Sequence, residues 1–170
     1  KMEAEWVSLD NNKTPNTPPK VTMLSDDNSS TVIKIEISGF DVKEFNSSGK
    51  TFQAVDLLSE MFTANPGYPE VPYIAKVLAI PDQSGISVEV LETSEILTFN
   101  NVYLPPARMS WYEGQPEPPY EENINIYQAD DVYPNVYSEV ESAAVFRDFR
   151  IARVSVFPVR YIPGKKELQV

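Results

Sequence analysis

The chain has no cysteine and no histidine. That double absence removes a disulfide framework, a Cys/His zinc site, a thiol nucleophile and a Ser-His-Asp triad in one step. Long apolar runs are missing too: nothing approaches the twenty consecutive apolar residues of a membrane-spanning helix. Positive charge is scarce. Fourteen Lys and Arg stand against 25 Asp and Glu, for a net charge of −11 and a pI near 4.4. Such a surface repels nucleic acid and anionic lipid, and suits a basic partner. The chain opens Lys1-Met2-Glu3-Ala4 with no apolar leader region, as expected of a cytosolic protein or of one whose leader has been removed. No fixed-period repeat appears, and helical periodicity is nearly absent. Neither a metal nor a cofactor is expected.

What remains is a chain of 170 residues, one domain by length, able to bury roughly 70% of its unfolded surface. Short β patterns recur along it. Glu3–Leu9 is a strand candidate. After the polar, Pro-rich stretch Asp10–Lys20, Val21–Leu24 and Thr31–Ser38 flank the turn signal Asp26–Ser30 as a hairpin. Asp41–Phe45 and Thr51–Leu57 repeat that plan around Asn46-Ser47-Ser48-Gly49. Leu57–Met61 is compatible with a helical turn ended by Asn65-Pro66-Gly67. Tyr73–Ile80 is a continuous apolar strand candidate. Ile86–Phe99 begins with clean alternation, Ile86, Val88 and Val90 against Ser87 and Glu89. Ile124–Tyr127 reads as a short strand. In Phe146–Val159, arginines 147, 150 and 153 have a helix-like spacing, but Val154, Val156, Val159 and the following prolines favour a strand. Glu167–Val170 starts another, which gives the chain the look of a fragment of a longer precursor. Strands at roughly ten-residue spacing with Pro/Gly turns predict an all-β fold, an antiparallel β-sandwich of two packed sheets with one long Pro-rich loop.

That loop is Leu104–Tyr120, LPPARMSWYEGQPEPPY, with five of the fifteen prolines. Prolines cannot donate to a ladder, so the segment is no strand, and structureless loops of this length are usually functional or disordered. Trp111 and Tyr112 argue against disorder, being residues worth burying. Arg108 is the only Lys or Arg between Val77 and Phe146, a span with twelve Asp and Glu. Two readings follow: a stiffened binding element presenting a lone cation beside aromatics, or a lid packed on its own domain with Arg108 solvated.

Other constellations are weaker. Asp26-Asp27-Asn28 and Asp130-Asp131 lack the spacing of a calcium loop and read as solvated turns. Sequons at Asn12, Asn28 and Asn46 matter only in a eukaryotic secretory host. Glu113, Glu117, Glu121 and Glu122 include possible acid pairs, but glycosidase chemistry needs two carboxylates on rigid strands, and a Pro-rich loop is a poor place for it. The chain is therefore read as a non-enzyme. Trp111, Tyr112 and Tyr120 could stack on sugar rings, which makes a secreted carbohydrate-binding module the alternative function. A surface domain with no specific ligand is a third.

Several segments in order resemble one family. Gly67-Tyr68-Pro69-Glu70-Val71-Pro72 is similar to a G-x-P-x-L-P element, with Val71 for Leu, and an apolar strand follows it to Ile80-Pro81. Val102–Pro106 looks like the strand before an "A-P" step. Tyr133-Pro134 matches an aromatic-Pro element, Arg147-Asp148-Phe149-Arg150 an R-D-x-R-G with Ile151 for Gly, and Val156–Pro163 a V-x-P-x-x-Y-N-P segment; Lys166–Val170 resembles the closing strand. Together, from about Asn65 to the end, they resemble the N-terminal propeptide of gingipain-type bacterial cysteine peptidases.

The resemblance implies a secreted or cell-surface protein exported through the periplasm. It implies a propeptide domain over residues 1–170 that helps its peptidase fold and blocks the cleft until removed. The implied partner is the catalytic domain of the cognate cysteine peptidase, with no nucleic acid and no membrane span. In arginine-specific members the loop after the "A-P" step puts an arginine in the primary pocket. Here that place is near Tyr112–Glu113, and Arg108 lies a few residues earlier. The expected inhibitory residues are Arg108, Met109, Trp111, Tyr112 and Glu113. An acidic pocket would select Arg108, the favoured anchor; an apolar one would take Met109, Trp111 or Tyr112.

Overall fold

The computed structural model describes residues 4–10, 14–27, 29–58, 60–81, 85–141, 144–146 and 149–170. Arg147 and Asp148, and the sequon residues Asn12 and Asn28, lie outside the described residues.

The described strands pair antiparallel in every sheet. β1 (Glu5–Ser8), β4 (Gly39–Ser47) and β5 (Lys50–Asp56) form one sheet in the order β1-β4-β5. The turn at Ser48-Gly49 has positive φ at both residues, 52° and 76°, as a two-residue hairpin with the native strand twist requires. β2 (Lys20–Asp26) and β3 (Thr31–Glu36) form a second hairpin, with a bulge between Met23 and Ser25. Asp27 turns it: one carboxylate oxygen accepts from the amides of Ser29 and Ser30 and from the Ser29 hydroxyl, each at 2.7 Å. Those bonds hold its pKa down to about 2.

β11 (Phe149–Val156) pairs with β7 (Pro72–Ile80) from Arg150↔Ile80 to Val156↔Ile74. The short β6 (Met61–Phe62) flanks β7 on one edge, while β9 (Ser138–Val140) and β10 (Ala144–Phe146) flank β11 on the other. A third sheet runs β12 (Arg160–Ile162), β13 (Glu167–Gln169), β8 (Thr98–Asn100). Among the described residues, no helix is long and apolar enough to cross a membrane.

The core lies between these layers. Phe40 and Val55 from the first sheet, with Leu57 just past β5, meet Tyr161 and Leu168 from the third, with Val159 just before β12, closed by Val71, Ile74 and Leu104, all 1% exposed or less. Phe40 meets Phe99 edge-to-face, ring centroids 5.3 Å apart. The Tyr161 hydroxyl donates to the Val102 carbonyl at 2.8 Å, so its polar tip is satisfied.

Three local expectations are corrected. Ile124–Tyr127 is a single helical turn, α1, because the Asn123 side chain caps it by accepting from the Asn125 amide. Of Ile86–Phe99, only Thr98 and Phe99 enter a strand; residues 85–96 run without strand pairing among the described residues. Where a helical turn was compatible over Leu57–Met61, Met61 instead pairs with Tyr73 as β6.

Candidate functional site

The 104–120 loop is held at both roots by one short segment, Gly67–Glu70. On the outbound side, Glu70 N donates to Pro105 O, Ala107 N to Tyr68 O and Gly67 N to Ala107 O, at 2.8, 2.8 and 2.9 Å. On the return side, Asn123 N donates to Gly67 O at 3.0 Å. Pro105 fits because its carbonyl accepts where no donor exists, and Pro106 because it stands opposite Pro69 in a bridge whose bonds are made by the residues on either side. Leu104 and Ala107 are buried, and the Tyr127 hydroxyl donates to Leu104 O at 3.0 Å. Burial pushes that phenol well above its ordinary pKa.

Gly67 is the residue the geometry requires. Its φ of 81° is left-handed, and a Cβ would lie 3.1 Å from Asn123 N. Glycine alone occupies such backbone without steric cost.

Within the loop, Arg108 turns inward. Its guanidinium lies 4.5 Å from the Trp111 ring centroid and 4.7 Å from that of Tyr120. Its Nη1 contacts Glu117 Oε2 at 2.7 Å. The Glu70 carboxyl is raised by burial, which the charge of Arg108 only partly offsets. Arg108 is thus neither presented as a lone cation nor left in solvent: it ties the two limbs of the loop together. Tyr120 is itself seated on Phe45 and Phe52, at centroid distances of 5.2 and 5.8 Å.

Beyond this clasp the chain makes a tight turn. Gln115 N donates to Tyr112 O at 3.1 Å, and Gly114 takes φ 88° at its third position, as a type II turn needs. Tyr112, 81% exposed, stands at this tip with exposed Glu113, while Met109 is 64% exposed on the approach. Trp111 is partly covered by its contact with Arg108.

The four loop glutamates do not form an acid pair. Glu117 binds Arg108. Glu122 accepts from the Tyr103 hydroxyl at 2.5 Å and pairs with Lys50 at 2.7 Å. Glu113 and Glu121 are exposed. A flat sugar platform of Trp111, Tyr112 and Tyr120 is not assembled either, since Trp111 and Tyr120 are both engaged with Arg108. Among the described residues, no group of three or more Asp and Glu is placed to hold a metal ion.

Sequence reasoning missed how Gly67, Glu70 and Asn123 close the loop. The Gly-x-Pro pattern at Gly67 signalled a special backbone position, but nothing local named its partners.

Comparison with known proteins places this arrangement. The family model Propeptide_C25 matches residues 11–170. Gingipain R2 of Porphyromonas gingivalis is 22% identical over 154 residues, covering 89% of this chain and 21% of that protein. Lys-gingipain of the same species is 26% identical over 136 residues, covering 76% of this chain and 8% of that protein. The chain therefore spans about a fifth or less of these relatives' length. Two solved structures share the fold. One, a complex of P. gingivalis RgpB pro- and mature domains, has a TM-score of 0.80 at 20% identity, covering 88% of this chain and 77% of that one. The other, on the zymogenic latency of P. gingivalis gingipain K, has a TM-score of 0.81 at 21% identity, covering 98% and 92%.

Proposed function

The chain belongs to the Propeptide_C25 family, the propeptides of gingipain-type peptidases, and from that premise we propose that it holds a cognate cysteine peptidase latent by seating the 104–120 loop in its cleft. As a propeptide domain it is not an enzyme. The partner is the peptidase's catalytic domain, and the two are made as one precursor, exported through the periplasm to the bacterial surface or beyond. There the propeptide also helps the peptidase fold.

The observation that carries this reading is the double pinning of the loop. An inhibitor must offer an extended segment to a cleft yet resist being cut, and it binds best when little entropy remains to be lost. Backbone bonds at both roots, five prolines and the Arg108 clasp supply that rigidity. Tyr112 and Glu113 at the tip, with Met109 beside them, make the direct contacts. Arg108 and Trp111 keep the tip in shape. Tyr112 is the pocket residue, because Arg108 is already committed to Glu117 and two rings.

The test is inhibition of the cognate catalytic domain by this domain added in trans. Wild type should inhibit, and Tyr112→Ala should weaken inhibition by about thirtyfold or more. Absence of inhibition by the folded wild-type domain would overturn the proposal.

A further inference from the structure

Residues 86–90 alternate as a strand does, yet over 85–96 no backbone pairing forms among the described residues. The run contains neither turn nor bend, and none of its residues has positive φ. Ile86 and Val88 are half-buried against the domain, whereas Val90, Leu91 and Ile96 are 40%, 72% and 44% exposed. Among the described residues, no backbone hydrogen bond involves 85–96; the first is the reciprocal pair Leu97–Val170, at 2.8 and 2.9 Å. A row of unpaired N–H and C=O groups on an extended, partly apolar segment is a template for a strand from another chain.

We propose that residues 86–96 form a second docking element, which accepts an edge strand bearing Lys or Arg from the peptidase domain. This rests on the propeptide reading above and adds a contact separate from the loop. Charge selects the partner. The segment carries Glu89, Glu92 and Glu95, and sequence 77–107 holds no Lys or Arg. A second copy of this chain fits poorly. An antiparallel pair centred on Glu92 would set Glu92 against Glu92 and Glu89 against Glu95, and like charges directly opposite are destabilising. A basic strand meets the same carboxylates favourably.

Hydrogen–deuterium exchange provides the test, using this domain alone and mixed with a cognate catalytic domain whose nucleophilic cysteine has been replaced. Protection of amides within 86–96 in the mixture, absent from the domain alone, is the expected result. Adjacent residues donate to opposite strand edges, so one of Val90→Pro and Leu91→Pro must remove a bond to the added strand. That variant should weaken binding about tenfold while the melting temperature of the free domain stays unchanged. Glu89→Lys, Glu92→Lys and Glu95→Lys combined should weaken it at least as much and flatten its salt dependence.

Loop amides protected without 86–96 would overturn this inference and leave the propeptide reading intact. Concentration-dependent protection in the domain alone would mean self-pairing, and would also overturn it. No complex at all would remove both.

Discussion

Gly67 and Asn123 meet backbone to backbone at 3.0 Å, and Gly67 simultaneously holds Ala107 at 2.9 Å. One glycine therefore fastens the outgoing and returning limbs of a loop that is remote from it in sequence. The loop's position is set by Gly67, just upstream of β7, together with Leu104 in the core and Tyr120 on Phe45 and Phe52.

Gly67→Ala tests that dependence. A side chain at φ 81° is strained, and its Cβ would press on Asn123. A cost of about 1–2 kcal/mol is expected for a left-handed non-glycine residue. In a domain of this size that lowers the melting temperature by roughly 2–8 °C. Exchange of the Ala107 and Asn123 amides should rise more than that of core amides. An unchanged melting temperature with unchanged exchange would show that the pin does not matter.

Arg108 and Tyr112 are separable by two measurements on the same variants. Arg108→Ala loses two ring contacts, worth about 0.5–1 kcal/mol each at exposed sites, and an ion pair worth about 0.2–1 kcal/mol. The free domain should then be nicked faster by an added protease between residues 109 and 116. Inhibition of the peptidase should weaken about tenfold, as 1.4 kcal/mol implies. Tyr112→Ala should leave the nicking rate alone and weaken inhibition about thirtyfold or more, as for a hot-spot aromatic. The opposite ranking, with unchanged nicking in Arg108→Ala, would make Arg108 the pocket residue.

Both hairpins were legible because alternation and turn chemistry agree: Ile33, Ile35 and Ile37 follow an Asp-Asn-Ser-Ser turn, and Phe45 and Phe52 bracket a Ser-Gly turn. Ile124–Tyr127 was misread because a four-residue apolar run has no decisive period; the preceding Asn123 was the available cue. Over 86–97 the alternation at Ile86, Val88 and Val90 suggests a strand that the structure does not form, since alternation reports a strand-forming tendency and says nothing of who supplies the other strand. Arg108 stands out in the sequence as the region's lone cation. Its inward turn depends on Glu117 and Tyr120, nine and twelve residues on across prolines, a distance at which sequence carries no geometric signal.

Asp41 and Asp56 are directly opposed across β4 and β5, and one Asp56 carboxylate oxygen is buried without a hydrogen-bond partner. The Asp41 pKa is raised above its ordinary 3.8, first by burial and then by the charge of Asp56. Glu70, raised by burial, behaves alike. An acid whose pKa is higher in the folded chain favours folding below its unfolded value, and that contribution is lost as pH rises through the folded value. Stability should therefore fall as pH climbs from about 4 toward neutrality. Asp27, held down to about 2, acts oppositely but only at more acid pH, where its contribution is lost as pH falls toward 2. Asp41→Asn removes one of the opposed charges. Like-charge cross-strand pairs cost roughly 0.2–1 kcal/mol, so this variant should melt about 1–4 °C above wild type at pH 7. The gap should narrow as pH falls, because the raised pKa means that the wild-type carboxyl takes up its proton before an ordinary aspartate would. Melts at pH 4, 5, 6 and 7 check this, and an Asp41→Asn protein less stable than wild type at pH 7 would mean that this carboxylate supports the sheet instead of straining it.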